Sequence, residues 1–262
     1  MRGGPALAAL IALALAAASH GAAPSGRARV PGATFATILP PAEKVKVAAV
    51  RTFDLDRTPV TNQDFARFVA AHPQWRRDRV ARVFADQGYL LQWQSAIAPA
   101  AGSGRQPVTR VSWFAANAYC EAQGARLPTW HEWELVGAAS LDIADARARP
   151  EWRQQILAWY ARPASAPLPD VGRSAPNFYG VSDVHGLVWE WVLDLSSMMV
   201  SADNREQGDP DAQRFCGSGA LTMEEKENYA MLMRIATLSS MQASYTSSSM
   251  GFRCAANAAA AP

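Results

Sequence analysis

The sequence is short of the residues that most often carry metal and redox chemistry, with three cysteines and four histidines in 262 positions. Cys120, Cys216 and Cys254 lie far apart, so their spacing excludes CxxC redox chemistry and a zinc ribbon. Past His20, the histidines are His72, His131 and His185, too scattered for a three-His zinc site built locally. Charge of one sign is lacking too. Lys+Arg number 25 against 23 Asp+Glu, a net charge of +2, and there is neither a long basic run nor an acidic tail. That excludes the concentrated cationic stripe a nucleic-acid binder needs to displace counterions. No internal repeat is present. One uninterrupted apolar run stands out, Ala6 to Ala18, preceded by Arg2 and followed by small residues up to Ala23. It falls short of the ~20 apolar residues of a spanning helix. It reads as a secretory signal over 1–23, an uncleaved anchor being the rival reading. A periplasmic or secreted protein follows, with no stable membrane insertion after cleavage, in a compartment where disulfides persist. Three cysteines there allow one bridge and leave one thiol over.

What is present is ordinary globular material, 49% hydrophobic with 17 Gly and 17 Pro, in a chain long enough to bury a core without staples. Residues 24–43, rich in Ala, Pro and Gly, read as a flexible lead-in; 44–256 read as one irregular α+β domain and 257–262 as a tail. The run from Lys44 to Thr61 alternates enough to predict a strand pair. After Thr61-Asn62, a natural N-cap, Phe65, Phe68 and Val69 recur at helical spacing. A second helix is predicted from Ser112 to Gln123, stopped at Gly124, with Trp113, Ala116 and Cys120 on one face. A third starts at Pro150 and stops before Pro163. Thr222 and Glu225 form a capping box that opens a helix through about Ala236. Arg76, Arg77, Arg79 and Arg82 read as a solvated basic face.

Four phrases carry a resemblance: Arg57 to Val69 (RTPVTNQDFARFV), Gln106 to Glu134 (QPVTRVSWFAANAYCEAQGARLPTWHEWE), Pro176 to Val192 (PNFYGVSDVHGLVWEWV) and Met250 to Ala255 (MGFRCA). In order and spacing they resemble the sulfatase-modifying-factor family, which includes the formylglycine-generating enzymes. The resemblance implies a single-domain, irregular variant of the C-type lectin fold. Its members include copper-dependent oxidases that convert a cysteine to formylglycine, ergothioneine-type sulfoxide synthases, siderophore-maturation proteins and accessory proteins of copper nitrite reductases. Fold does not choose among these.

The oxidase chemistry needs a cysteine pair that holds Cu(I), and counting back from Gly251 those positions fall near Ala230 and Glu225, neither of them Cys. The ergothioneine-type enzymes carry iron on histidines of a separate helical domain that this sequence does not show. The resemblance also implies a disulfide between Cys120 and Cys254. It further implies a calcium ion held by the side chains of Asp183 and Glu190 and the carbonyls of Gly186 and Val188, hard oxygen donors of the type Ca²⁺ takes. The other calcium site of the family has no counterpart in Ala161 to Gly172. His131 and Glu134 could share a metal, but read better as core or turn residues. Trp113, Trp133, Trp189 and Trp191 read as core anchors. Apart from Met1, all the methionines lie between Met198 and Met250, in the same stretch as Cys216. Thioether and thiolate donors favour Cu(I), which makes Cys216 a candidate copper ligand, while gap-filling in a loop-rich core is the plainer role for the methionines. The leading expectation is an accessory or maturation factor for an exported redox enzyme, plausibly a copper enzyme, or for another periplasmic protein. Against it stand an active metal-dependent oxidase on a peptide or small-molecule thiol, and a lectin-fold binding module without catalysis.

Overall fold

The computed structural model describes residues 26–39, 46–161, 167–194 and 229–258. Its sheets are small and its helices short. Strand β1 (Arg27–Val30) pairs antiparallel with β4 (Phe53–Asp56), and β4 pairs antiparallel with the C-terminal β7 (Ala255–Asn257). Strand β2 (Ala33–Ala36) pairs antiparallel with β3 (Val47–Val50). The segment expected to be a flexible lead-in is therefore built into two sheets. Ala28 and Val30 reach the core from β1, where they are 2% and 0% exposed. The predicted strand pair is corrected as well: both strands form, but β3 and β4 take their partners from the lead-in and the C-terminus. Pro31-Gly32 turns the chain between the two sheets. A Cβ at Gly32 would lie 2.7 Å from the Val50 carbonyl oxygen, so the backbones approach too closely for a side chain.

The helices follow their caps. Helix α1 (Asn62–Ala71) opens on a Thr61–Asp64 capping box and buries Phe65, Phe68 and Val69. Helix α2 (Trp113–Ala122) is capped by Ser112 and gives way to Gly124 at φ 63°, a left-handed position glycine fills at little cost. Helix α3 (Trp130–Gly137) was not foreseen. Its start carries a capping box, Thr129 with Glu132, inside the phrase that the resemblance had already absorbed. Helix α4 (Pro150–Tyr160) begins with proline in its first turn. Helix α5 (Tyr229–Ser239) is described from Tyr229 onward, so the Thr222 capping box lies outside the described residues. Among the described residues no helix is long and apolar enough to cross a membrane.

Aromatic rings from distant segments meet in the core. Phe65 lies 5.8 Å from Tyr119 and 6.0 Å from Phe252 between ring centroids, and Trp93 closes on it at 6.2 Å. Offset and edge-to-face pairs of this kind add about 0.5–1.5 kcal/mol each to their burial. Beside this cluster the Cys120–Cys254 disulfide joins α2 to the stretch leading into β7. Two short elements finish the frame that the site rests on: β5 (Trp189–Glu190) and β6 (Met250–Gly251) pair in parallel, Glu190 opposite Gly251. A Cβ on Gly251 would meet the Val108 carbonyl oxygen at 2.7 Å, so only glycine lets β6 lie this deep.

Candidate functional site

The β5–β6 pairing brings Glu190 to Arg253, and both side chains are fully buried. Arg253 Nε donates to Glu190 Oε1 at 3.0 Å and Oε2 at 2.9 Å, and Nη2 donates to Oε1 at 2.8 Å. Its remaining donors reach the carbonyls of Asp56 (3.2 Å) and Ser182 (3.0 Å). Trp133 Nε1 donates to Glu190 Oε2 at 3.0 Å. Arg234 of α5 then lies 3.5 Å over the Trp133 ring and donates to the Glu190 carbonyl at 2.5 Å. One guanidinium thus forks the buried Glu190 carboxylate, and a second holds the Glu190 backbone carbonyl and covers the indole that donates to that carboxylate.

Asp183 is also buried, in the left-handed conformation at φ 58°. Its Oδ1 accepts from the Ser174 amide at 3.2 Å and from the Ser174 hydroxyl at 2.7 Å, and its Oδ2 accepts from the Gly172 amide. The carboxylate therefore holds the 172–174 turn against the turn that leads to β5. A cation on the set Asp183, Gly186, Val188 and Glu190 would need both carboxylates to turn lone pairs toward it. One is encircled by N–H and O–H donors and the other is forked by Arg253. As arranged, these residues do not fit a calcium ion. Among the described residues no group of three or more His, Cys, Asp or Glu side chains is placed to hold a metal.

The other candidates separate cleanly. Cys120 and Cys254 are bonded to each other, while Cys216, with Met198, Met199 and Met223, lies outside the described residues. Met231 and Met250 are fully buried, and Met241 packs against the core, which is gap-filling rather than an exposed thioether surface. His131 Nε2 donates to the Leu39 carbonyl at 2.9 Å. Glu134, fully buried, accepts from Thr37 Oγ1 at 2.5 Å, the Ile38 amide at 2.9 Å and Trp130 Nε1 at 3.0 Å. Burial pushes its carboxyl above the usual carboxylate range, with the Thr37 hydroxyl, the Ile38 amide, Arg147 and His131 opposing. His131 and Glu134 clasp the N-terminal segment to α3 through these bonds. Trp133 and Trp191 are core residues, while Trp113 and Trp189 pack against the core from partly buried positions. The basic cluster is only partly a solvated face. Arg77 donates to the carbonyls of Leu90 and Trp93, each at 2.9 Å, and fastens the long loop after α1.

Sequence reasoning missed Arg253, although it stands between Phe252 and Cys254, residue types that are most often buried, which is the signal of a buried charge needing a partner. It also missed a cavity of about 450 Å³ beside the Asp183 turn, with Trp152, Ile156 and Trp159 of α4 on one side and Val184, His185 and Gly186 on another. His185 Nε2 faces the Gly137 carbonyl at 2.7 Å, and its ring meets Trp133 and Trp152 edge-on at 5.3 and 5.6 Å. Burial first, with Arg234 and Arg253 adding to it, pushes the imidazole down to about 4 against its bond to Gly137. It is a neutral ring at physiological pH.

Comparison with known proteins extends over most of the chain. The model of the sulfatase-modifying factor enzyme 1-like domain matches residues 18–258. The formylglycine-generating enzyme of Thermomonospora curvata is 30% identical over 174 residues, covering 58% of this chain and 55% of its own. The inactive C-alpha-formylglycine-generating enzyme 2 of Bos taurus is 26% identical over 260 residues, covering 83% of this chain and 81% of its own. The chain thus spans about half the length of some curated relatives and more of others. Among solved structures, the Treponema denticola variable protein 1 superposes with a TM-score of 0.50 at 17% identity, over 88% of this chain and 95% of that one. That likeness concerns the fold alone, which here is a single-domain α+β arrangement of the same type.

Proposed function

The chain belongs to the sulfatase-modifying factor enzyme 1-like family, and on that premise we propose that it is an exported accessory or maturation factor for a redox enzyme of the periplasm, a copper enzyme in particular, rather than an oxidase. The observation that carries the proposal is the cysteine balance. With Cys120 and Cys254 bonded to each other, Cys216 is the single thiol left in the sequence. A thiolate pair that holds Cu(I) and admits a third sulfur cannot be assembled from one chain in that state. A bovine relative described as inactive supports the same reading at the level of the family. Export is part of the proposal and rests on the apolar run after Arg2. Copper enters it only through Cys216, whose thiolate is a soft ligand.

The test is direct. The purified chain is supplied with copper, oxygen, a thiol reductant and a Cys-x-Pro-x-Arg peptide, and the peptide is followed by mass spectrometry. No aldehyde is the expected result; its formation with turnover would replace the accessory reading by an oxidase. Copper titration of wild type and Cys216→Ser then separates a copper-handling accessory protein, whose binding collapses in the variant, from a binding module that takes no copper.

A further inference from the structure

We propose that the cavity between α4 and the Asp183 turn is a binding site for a small organic cation with an apolar body, an arylalkylammonium or a side chain of that chemistry. This goes beyond the accessory role and does not depend on it.

Shape and lining come first. About 450 Å³ lies within the range of small-molecule sites. The apolar share of the lining comes from Trp152, Ile156 and Trp159, which helical spacing sets on one side of α4, from Val184 on the facing turn, and from Leu141, which is 66% exposed at the mouth. Gly186 stands at φ 94°, where a side chain would be strained, and lies against the Trp159 ring. Indole faces bordering a cavity attract cations through the ring quadrupole.

The charges choose the sign. Three carboxylates border the cavity, Asp142, Glu151 and Asp183, against one guanidinium, Arg149. Arg149 is paired with Asp142 at 2.9 and 3.0 Å. Asp183 is met by amide and hydroxyl donors, which carry no formal charge. Glu151 has no hydrogen-bond or ion-pair partner among the described residues. Among the described residues the lining therefore keeps two carboxylates that no cation balances, and an anionic ligand would be repelled from it. His185 adds a directional element. The Gly137 carbonyl can only accept, so Nε2 carries the proton and Nδ1 is left as a bare acceptor on a residue that lines the cavity. A ligand N–H is the complement of that acceptor.

Three probes of one size separate charge from shape: 2-phenylethylammonium, 2-phenylethanol and 3-phenylpropionate, each titrated into the full chain. Binding is read by calorimetry and by the indole N–H resonances of Trp152 and Trp159, identified with Trp→Phe variants. The ammonium is expected to bind and shift those two resonances, the alcohol to bind at least about threefold more weakly, and the carboxylate not to bind. Glu151 is exposed, so Glu151→Lys leaves folding intact; it is expected to weaken the ammonium about tenfold. Equal affinity for ammonium and alcohol, shifts confined to other tryptophans, unchanged binding in Glu151→Lys, or no binding of any probe would each overturn the proposal. The peptide-oxidation assay has no bearing on these outcomes, so the two readings fail separately.

Discussion

Replacing Arg253 by methionine removes the donor group that ties four segments together while leaving an apolar side chain of comparable length. In the wild type its guanidinium serves Glu190 on β5, the Asp56 carbonyl at the end of β4 and the Ser182 carbonyl before the Asp183 turn. Among the described residues, Glu190 would keep Trp133 Nε1 as a side-chain donor, in a site with no solvent exposure. Breaking a buried pair from one side costs about 3–5 kcal/mol, because the surviving charge is uncompensated. Against a total stability of ~5–15 kcal/mol this is a large share. Arg253→Lys keeps the charge but cannot reproduce the fork, so it should fall between wild type and Arg253→Met. The double variant Arg253→Met/Glu190→Gln should recover part of the loss, with a coupling of about 1–3 kcal/mol, since the stranded charge is then gone. Urea unfolding followed by tryptophan fluorescence, disulfide intact, measures these four proteins and the Glu190→Gln single variant that closes the cycle. A loss below about 1 kcal/mol in Arg253→Met, or strict additivity in the double variant, would refute the claim that this pair is a coupled unit.

Removing the disulfide as Cys120→Ala/Cys254→Ala opens a loop with a sequence separation of 134, which by chain entropy should cost about 5 kcal/mol; an unchanged denaturation midpoint would count against it. His185 sets part of the acid limb. Its folded pKa of about 4 lies below the ordinary 6.5, so the folded state binds fewer protons than the unfolded one. Its contribution is thus present above pH 6.5 and lost as pH falls toward 4, by at most about 3 kcal/mol. The difference in unfolding free energy between wild type and His185→Gln, measured across that window, should grow as pH rises, and a flat difference would show the ring to be unperturbed. Calcium and a chelator should leave the thermal midpoint of the wild type in place, because an ion stabilises only the state that binds it and Asp183 and Glu190 are already taken. A chelator-induced drop that Asp183→Ala abolishes would instead assign an ion to that turn.

Much of the local structure could be read directly. Thr61 and Ser112 as caps, Pro150 in a first turn and Gly124 as a stop are short-range signals, because each satisfies backbone groups of its own helix. The order of the four phrases carries the family resemblance, and the cysteine count by itself limits the thiol chemistry. Helix α3 escaped notice even though its Thr129–Glu132 box was legible.

What only the tertiary structure decided lies between residues far apart in the chain. Strands β3 and β4 could not name their partners, since alternation defines a buried face but not the strand beside it. A lead-in of Ala, Pro and Gly became ordered because β4 offers β1 an unpaired edge and because Glu134, 97 positions from Thr37, accepts its hydroxyl. The same holds at the centre. Asp183 and Glu190 are carboxylates of the right type for a cation in a one-dimensional sequence. The fold brings Arg253 across 63 positions to one and the Gly172–Ser174 turn to the other, and a carboxylate whose lone pairs are taken by fixed donors is no longer a free ligand.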